Sequence, residues 1–155
     1  MQVRRVWRNI ASVLLAIALP ASVWAQAGAS ADERKLFELA NRERKAQSLP
    51  PLKWNGALTT AARAHAREMA HQHEVSHRLP GEPALPARAS HAGAHFRWLS
   101  ENVVQARSAI AAHEQFVKSP AHRANLLDRD MNTVGIGVAE RGGQLWVVQD
   151  FAQAQ

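Results

Sequence analysis

Val134-Gly135-Ile136-Gly137-Val138, then Gly142-Gly143, then Leu145-Trp146-Val147-Val148-Gln149-Asp150-Phe151 reads as two strands joined by a tight turn. Val134, Ile136 and Val138 alternate with small residues, the paired glycines supply the turn, and Leu145, Val147 and Phe151 alternate again, which predicts a β-hairpin. The periodic segments upstream of it read as helices. Helices first and strands last fit an α+β arrangement better than a parallel βαβ fold.

Working back from the hairpin, Ser119-Pro120 places a capping hydroxyl before a proline at a first helical position, so a short helix starts there. Ser108 to Ser119 predicts a further helix with Ile110, His113, Phe116 and Val117 facing inward. Pro80 to Leu99 is rich in Pro, Gly, Ala and His with no clear period, and is expected to be an irregular excursion with one short helical turn. Asn55 caps a long helix expected from Gly56 to about His77, with Leu58, Ala62, His65, Met69 and His73 on one stripe, stopped by Arg78-Leu79-Pro80-Gly81. At the front, Ser30-Ala31-Asp32-Glu33 has capping-box spacing. The helix it starts buries Leu36, Leu39 and Ala40, exposes Arg34, Glu38, Arg42 and Lys45, and ends before Pro50-Pro51. No internal repeat interrupts this order.

The 155 residues suit one domain with its own core. The absence of cysteine excludes a disulfide scaffold, an iron–sulfur cluster, a cysteine zinc site and thiol catalysis. A net charge of +6 and a pI near 11 point towards nucleic acid until the first residues are read. Arg4, Arg5 and Arg8 precede an apolar run from Ile10 to Leu19, and Val23-Trp24-Ala25 offers small residues before a cut at Gln26. That is the pattern of a secretory leader. The run of about ten apolar residues is too short for a bilayer, which takes about 20. Arg4-Arg5 fits a twin-arginine signal poorly in its flanks. Losing three arginines takes the 19 basic residues to 16 against 13 acidic ones, and no basic block interleaved with aromatics remains, so nucleic acid is not expected as a partner. The expected organisation is a leader over 1–25, a short linker over 26–31 and a domain over 32–152. The protein is expected to be secreted or periplasmic, with no membrane span after cleavage.

His73-Glu74-Val75-Ser76-His77 matches H-E-x-x-H. Within a helix that continues, this spacing turns two imidazoles to one Zn²⁺ and leaves the glutamate to activate water. Pro80-Gly81 ends the helix too soon for that, and no third ligand is evident downstream, so Glu74 is not expected to be a catalytic base.

The mature chain read in order carries more information. Asn41-Arg42-Glu43-Arg44, Leu49-Pro50-Pro51-Leu52-Lys53-Trp54-Asn55, His65-Ala66-Arg67-Glu68-Met69-Ala70, Ser76-His77, Ser100-Glu101-Asn102-Val103 and Ser119-Pro120-Ala121-His122-Arg123-Ala124-Asn125-Leu126-Leu127 precede the hairpin segments. Together, over about Asp32 to Phe151, these resemble the CAP superfamily (cysteine-rich secretory protein, antigen 5 and pathogenesis-related 1 proteins) in its short, cysteine-free bacterial form.

The resemblance implies a three-layer α–β–α sandwich with a cleft lined by two histidines and two acids. Carried over by position, it assigns His77, Glu101 and His122 to that cleft. The second acid has no counterpart: where longer members carry a glutamate three residues after a tryptophan, this chain has Phe116 and Ser119. Chemically, His122 near a helix start favours a neutral, ligating ring, and Glu101 can orient an imidazole by accepting its N–H. A weak divalent-metal site, zinc or another ion, is therefore expected at His77 and His122. Each of the three also reads as a satisfied structural polar residue.

His65 lies on an apolar stripe and reads as a core histidine. Glu114, beside His113, is a candidate for the missing acid but reads more simply as a solvated helix residue. Trp54 and Trp146 read as core, while Trp98 in the irregular excursion is equally open to a ligand-facing role. The expected function is an extracytoplasmic binding module for a small molecule, a lipid or a cell-wall component. The alternatives are a metal-dependent or His/Glu hydrolase, using the H-E-x-x-H string or the cleft residues, and a structural envelope or interaction domain. Oligomeric state is open.

Overall fold

Ser30 starts the first helix by the reciprocal bonds its sequence predicts: its hydroxyl accepts from the Glu33 N–H at 3.1 Å, and the Glu33 carboxylate accepts from the Ser30 N–H at 2.7 Å. The computed structural model describes residues 28–155, so the expected leader over 1–25 lies outside the described residues. Helix α1 runs Ala31–Ala46, with acids in its first turn and Arg44 and Lys45 in its last, as the helix dipole favours. It buries Leu36, Leu39 and Ala40 and leaves Arg34, Glu38, Arg42 and Lys45 exposed, as expected.

Strand β1 (Lys53–Trp54) leads to α2 (Gly56–Gln72), capped by the Asn55 side chain accepting from Leu58 N–H at 3.0 Å. The helix stops short of the expected His77. Met69 and Ala70 are its last buried residues; His71 to Val75 are exposed, and His73 turns the chain left-handed (φ 56°) before Leu79 rejoins the core. The excursion holds a two-turn helix α3 (Leu85–His91), and strand β2 (Phe96–Ala106) begins inside it. That strand was not expected. Its interior is occupied by the polar run Ser100-Glu101-Asn102, and Glu101 to Val104 are all buried, so no alternation marks it. Helices α4 (Ala109–Lys118) and α5 (Pro120–Leu126) follow with Ser108 and Ser119 as their caps. On α4 the inner residues are Ala109, Ala112, His113 and Phe116, whereas Ile110, expected inside, is 54% exposed. Strands β3 (Thr133–Arg141) and β4 (Gln144–Ala154) form the expected hairpin, with positive φ at Gly142 (61°) and Gly143 (71°).

The sheet order is β1-β3-β4-β2, with β1 parallel to β3 and the other pairs antiparallel, which places β2 at an edge. One sheet face carries Val134, Ile136, Val147, Phe151 and Val104 against α1, α4 and α5. The other carries Val103, Trp146 and Val148 against Ala62, Ala66 and Met69 of α2, with α3 packed beside Leu99 and Ala152. This is a single α+β domain layered α–β–α, as expected. Gly135 and Gly137 let α2 sit on the sheet: a Cβ at Gly135 would lie 2.2 Å from the Leu58 carbonyl carbon, and one at Gly137 2.2 Å from that of Ala62. Among the described residues no helix is long and apolar enough to cross a membrane.

Candidate functional site

Strand β2 points Glu101 and Asn102 to opposite faces of the sheet, and the site is built around its free edge. On the α2 and α3 side, Glu101 is buried. One of its oxygens lies 2.9 Å from His77 Nδ1, and the other accepts a close hydrogen bond from Arg88 Nη2. Arg88 also donates through Nη1 to the His77 carbonyl oxygen at 3.1 Å and to that of Pro83 at 3.2 Å. One guanidinium from α3 thus fixes both the carboxylate and the backbone of the histidine it meets. The His77 side chain remains 62% exposed, so its Nδ1 is anchored while the ring reaches solvent.

Behind this pair lies His65, fully buried, with Nδ1 2.8 Å from the Glu82 carboxylate and Nε2 2.8 Å from the Ser76 carbonyl oxygen. Both ring nitrogens face oxygens. Glu101 lies 3.9 Å from His65 Nε2, and Glu82 3.7 Å from Arg88 Nη1. His65 is therefore core by burial, as expected, yet it belongs to a charged network that the apolar stripe did not reveal.

On the opposite side, Ser119 starts α5 and His122 occupies its third position. The His122 ring stands edge-on to Phe116, with centroids 5.3 Å apart, and its Nδ1 is buried without a hydrogen-bond partner among the described residues. Asn102 donates to the His122 carbonyl oxygen at 3.0 Å, while Asn125 donates to the Glu101 carbonyl oxygen at 3.1 Å and to Asn102 Oδ1 at 3.0 Å. These asparagines lock α5 to the edge strand. Nothing in the sequence around either residue marks it for this task.

The electrostatics differ across the edge. The hydrogen bond that its ring donates to Glu101 raises His77 above the ordinary imidazole value against its partial burial. Burial lowers His122, and the nearby charge of His77 lowers it further. Burial pushes Glu101 up, but the His77 hydrogen bond and the charges of Arg88, His65 and His77 outweigh it and leave it lowered.

The three expected residues are therefore neighbours, with His77 and Glu101 in direct contact. One other expectation is corrected. His73 to His77 do not lie on a helix, because α2 ends at Gln72, so the H-E-x-x-H string does not turn its imidazoles to one point. Glu114 is a solvated helix residue, as expected: it is exposed on α4, 3.7 Å from Lys118. A second carboxyl stands instead at Asp150, directly opposite Glu101 in the β2–β4 register and fully buried. Its sequence context hides it, since alternation around an acid looks like a solvated strand position. Trp146 is core, Trp54 packs edge-on against Phe37, and Trp98 is 68% exposed on β2.

Among the described residues no three His, Asp or Glu side chains are grouped to hold a metal ion. His77 Nε2 and the unpartnered His122 ring suit a divalent ion as a two-nitrogen donor set, with Glu101 orienting the first ring. A cavity of about 620 Å³ lies elsewhere, between α2, the Pro80–Pro83 turn and α3. It shares Glu82 and Arg88 with the network, but neither His77 nor His122 lines it.

A family model described as "CAP: Cysteine-rich secretory protein family" matches residues 37–151. The chain is 30% identical over 131 residues to the uncharacterized protein YkwD of Bacillus subtilis, covering 81% of this chain and 49% of that protein. It thus spans about half the length of the curated relative it matches. An extracellular protein containing a SCP domain from Bacillus anthracis superposes with a TM-score of 0.74 at 26% identity, covering 79% of this chain and 40% of the other. An outer surface protein from Borrelia burgdorferi also gives 0.74, at 18% identity over 80% of this chain and 93% of that one, which is a likeness of fold alone.

Proposed function

We propose that this chain, which belongs to the CAP family, the cysteine-rich secretory protein family, is an extracytoplasmic binding domain whose ligand site is the cleft between His77, Glu101 and His122. One observation carries the reading: a buried Glu101, clamped by Arg88, presents an exposed His77 ring beside a neutral His122. That arrangement fixes charge and direction before any ligand arrives, which is how a site reduces the ordering cost of binding. The extracellular B. anthracis protein and the secretory leader pattern support placement outside the cytoplasm.

Two ligand chemistries suit the cleft. With His77 protonated, the site offers a cation to an anionic group of a small molecule, lipid or cell-wall component. With His77 neutral, its Nε2 and the His122 ring hold a divalent ion weakly, and Glu101 keeps the first ring in place. A bound ion would supply a Lewis-acidic centre with open positions for a ligand oxygen. Two protein ligands do not build the fold, so the protein stays folded without the ion.

Titration calorimetry of the exported chain with ZnCl₂ tests this, using wild type, His77→Ala and His122→Ala at about pH 7.5 and about pH 5.5, on either side of the ordinary imidazole range. Wild type takes up one ion at the higher pH and loses it at the lower one, because protonation removes the lone pair. Each variant binds at least about tenfold more weakly. Equal uptake by all three proteins would overturn the metal reading, and so would a chelator that unfolds wild type.

A further inference from the structure

Asp150 is fully buried, and neither of its carboxyl oxygens accepts a hydrogen bond from any donor among the described residues. In the β3–β4–β2 register it sits between Gly135 and Glu101, under the α2 backbone that closes on Gly135. The groups facing this slot are Glu101 from β2, Arg88 from α3, His65 from α2 and Glu82 from the turn before α3; β3 contributes only glycine. Arg88 is the one fixed cation among them, and it is already engaged by Glu101 and Glu82. A third carboxylate would leave unpaired negative charge in the interior, which costs several kcal/mol. A neutral carboxylic acid instead has one O–H to give, and the acceptor paired with it across the strands is the Glu101 carboxylate.

We propose that Asp150 is a positioning residue of the site, a buried carboxylic acid whose O–H donates to Glu101 and holds that carboxylate towards His77 and Arg88. The site then contains two carboxyls in different protonation states: one ionised and facing the cleft, the other neutral and supporting it from behind. Burial and the negative charge of Glu101 both favour the protonated form of Asp150, against the opposing influence of Arg88. Asp150 holds this proton whatever ligand the cleft takes.

Asparagine mimics the neutral acid, keeping a donor towards Glu101 without an ionisable proton, so Asp150→Asn separates the possibilities. If Asp150 is neutral, the substitution conserves charge and the His77 midpoint, followed by imidazole NMR in the full chain, stays where it is in wild type. If Asp150 is ionised, the substitution removes a negative charge beside Glu101 and the His77 midpoint falls, which overturns the proposal. Stability gives a second readout. Above the ordinary aspartate range, folded wild type holds a proton that the unfolded chain has released, so its stability declines with rising pH. The folding constant of Asp150→Asn relative to wild type should then rise about tenfold per pH unit until Asp150 ionises. A pH-independent ratio refutes the assignment. Should the variant fail to fold, carbon-13 NMR of the wild-type carboxyls decides the matter: Asp150 shows a protonated-acid shift at neutral pH, and a carboxylate shift there overturns the proposal.

Discussion

Arg88→Met removes the guanidinium that clamps Glu101 and keeps most of the aliphatic volume. In the folded chain the side chains of Arg88 and Glu101 are 5% and 3% exposed, so neither is screened by solvent. Two unit charges at the 3.7 Å of the neighbouring Arg88–Glu82 approach attract by about 4 kcal/mol at an effective dielectric constant of about 20. Much of that attraction offsets the cost of burying the charges, so truncating one partner exposes the cost. Breaking a buried pair costs about 3–5 kcal/mol. The bonds to the His77 and Pro83 carbonyl oxygens add about 1 kcal/mol each. The expected loss is about 4 kcal/mol or more at pH near 7, a large share of the roughly 5–15 kcal/mol that holds a domain together.

The pH dependence carries a definite sign. In wild type Glu101 is lowered, so its contribution is present above the unfolded carboxyl range and is lost as pH falls through its folded value. Without Arg88 the strongest remaining influence is burial, which raises it. The penalty in Arg88→Met is then greatest at neutral pH and shrinks in acid as Glu101 takes up a proton. Denaturant unfolding of wild type, Arg88→Met, Glu101→Gln and the double variant across this range measures both effects. The double variant should recover at least about 2 kcal/mol relative to the sum of the single ones. Additivity within about 0.5 kcal/mol, or a pH-independent loss below about 1 kcal/mol, would refute the buried-clamp reasoning.

By imidazole NMR, His77 should titrate above the ordinary histidine value and His122 below it, and Glu101→Gln should lower the His77 midpoint. Because His77 is raised, whatever it contributes to stability is present below the unfolded imidazole range and lost as pH rises through its folded value. Gly135→Ala places a Cβ 2.2 Å from the α2 backbone where carbon contacts need about 3.5 Å, so thermal unfolding should show a loss of about 3 kcal/mol or more. Arg44, 1% exposed, donates to the carbonyl oxygens of Pro50, Leu126, Asp128 and Met131 at 2.8–3.0 Å. Arg44→Met strands those acceptors and should cost about 3–5 kcal/mol in denaturant unfolding.

Local sequence was enough to specify the helices that begin with Ser30, Asn55, Ser108 and Ser119, because each cap satisfies its own backbone N–H within a few residues. The hairpin was legible for the same reason: paired glycines and period-two alternation act over neighbours. His77, Glu101 and His122 were found through an ordered set of short segments, each carrying its own local geometry. Tertiary structure decided the rest. Strand β2 is a strand because β4 pairs with it along its length, although its central residues are polar. Arg88 and His65 look like a surface cation and an apolar-stripe residue until α2, α3 and the edge strand bring them to Glu101. Asp150 reads as an ordinary strand acid until the Gly135 gap lets α2 close over it. Capping and turn chemistry are local, whereas a buried charge network depends on which distant groups remove water from one another, and only the folded chain determines that.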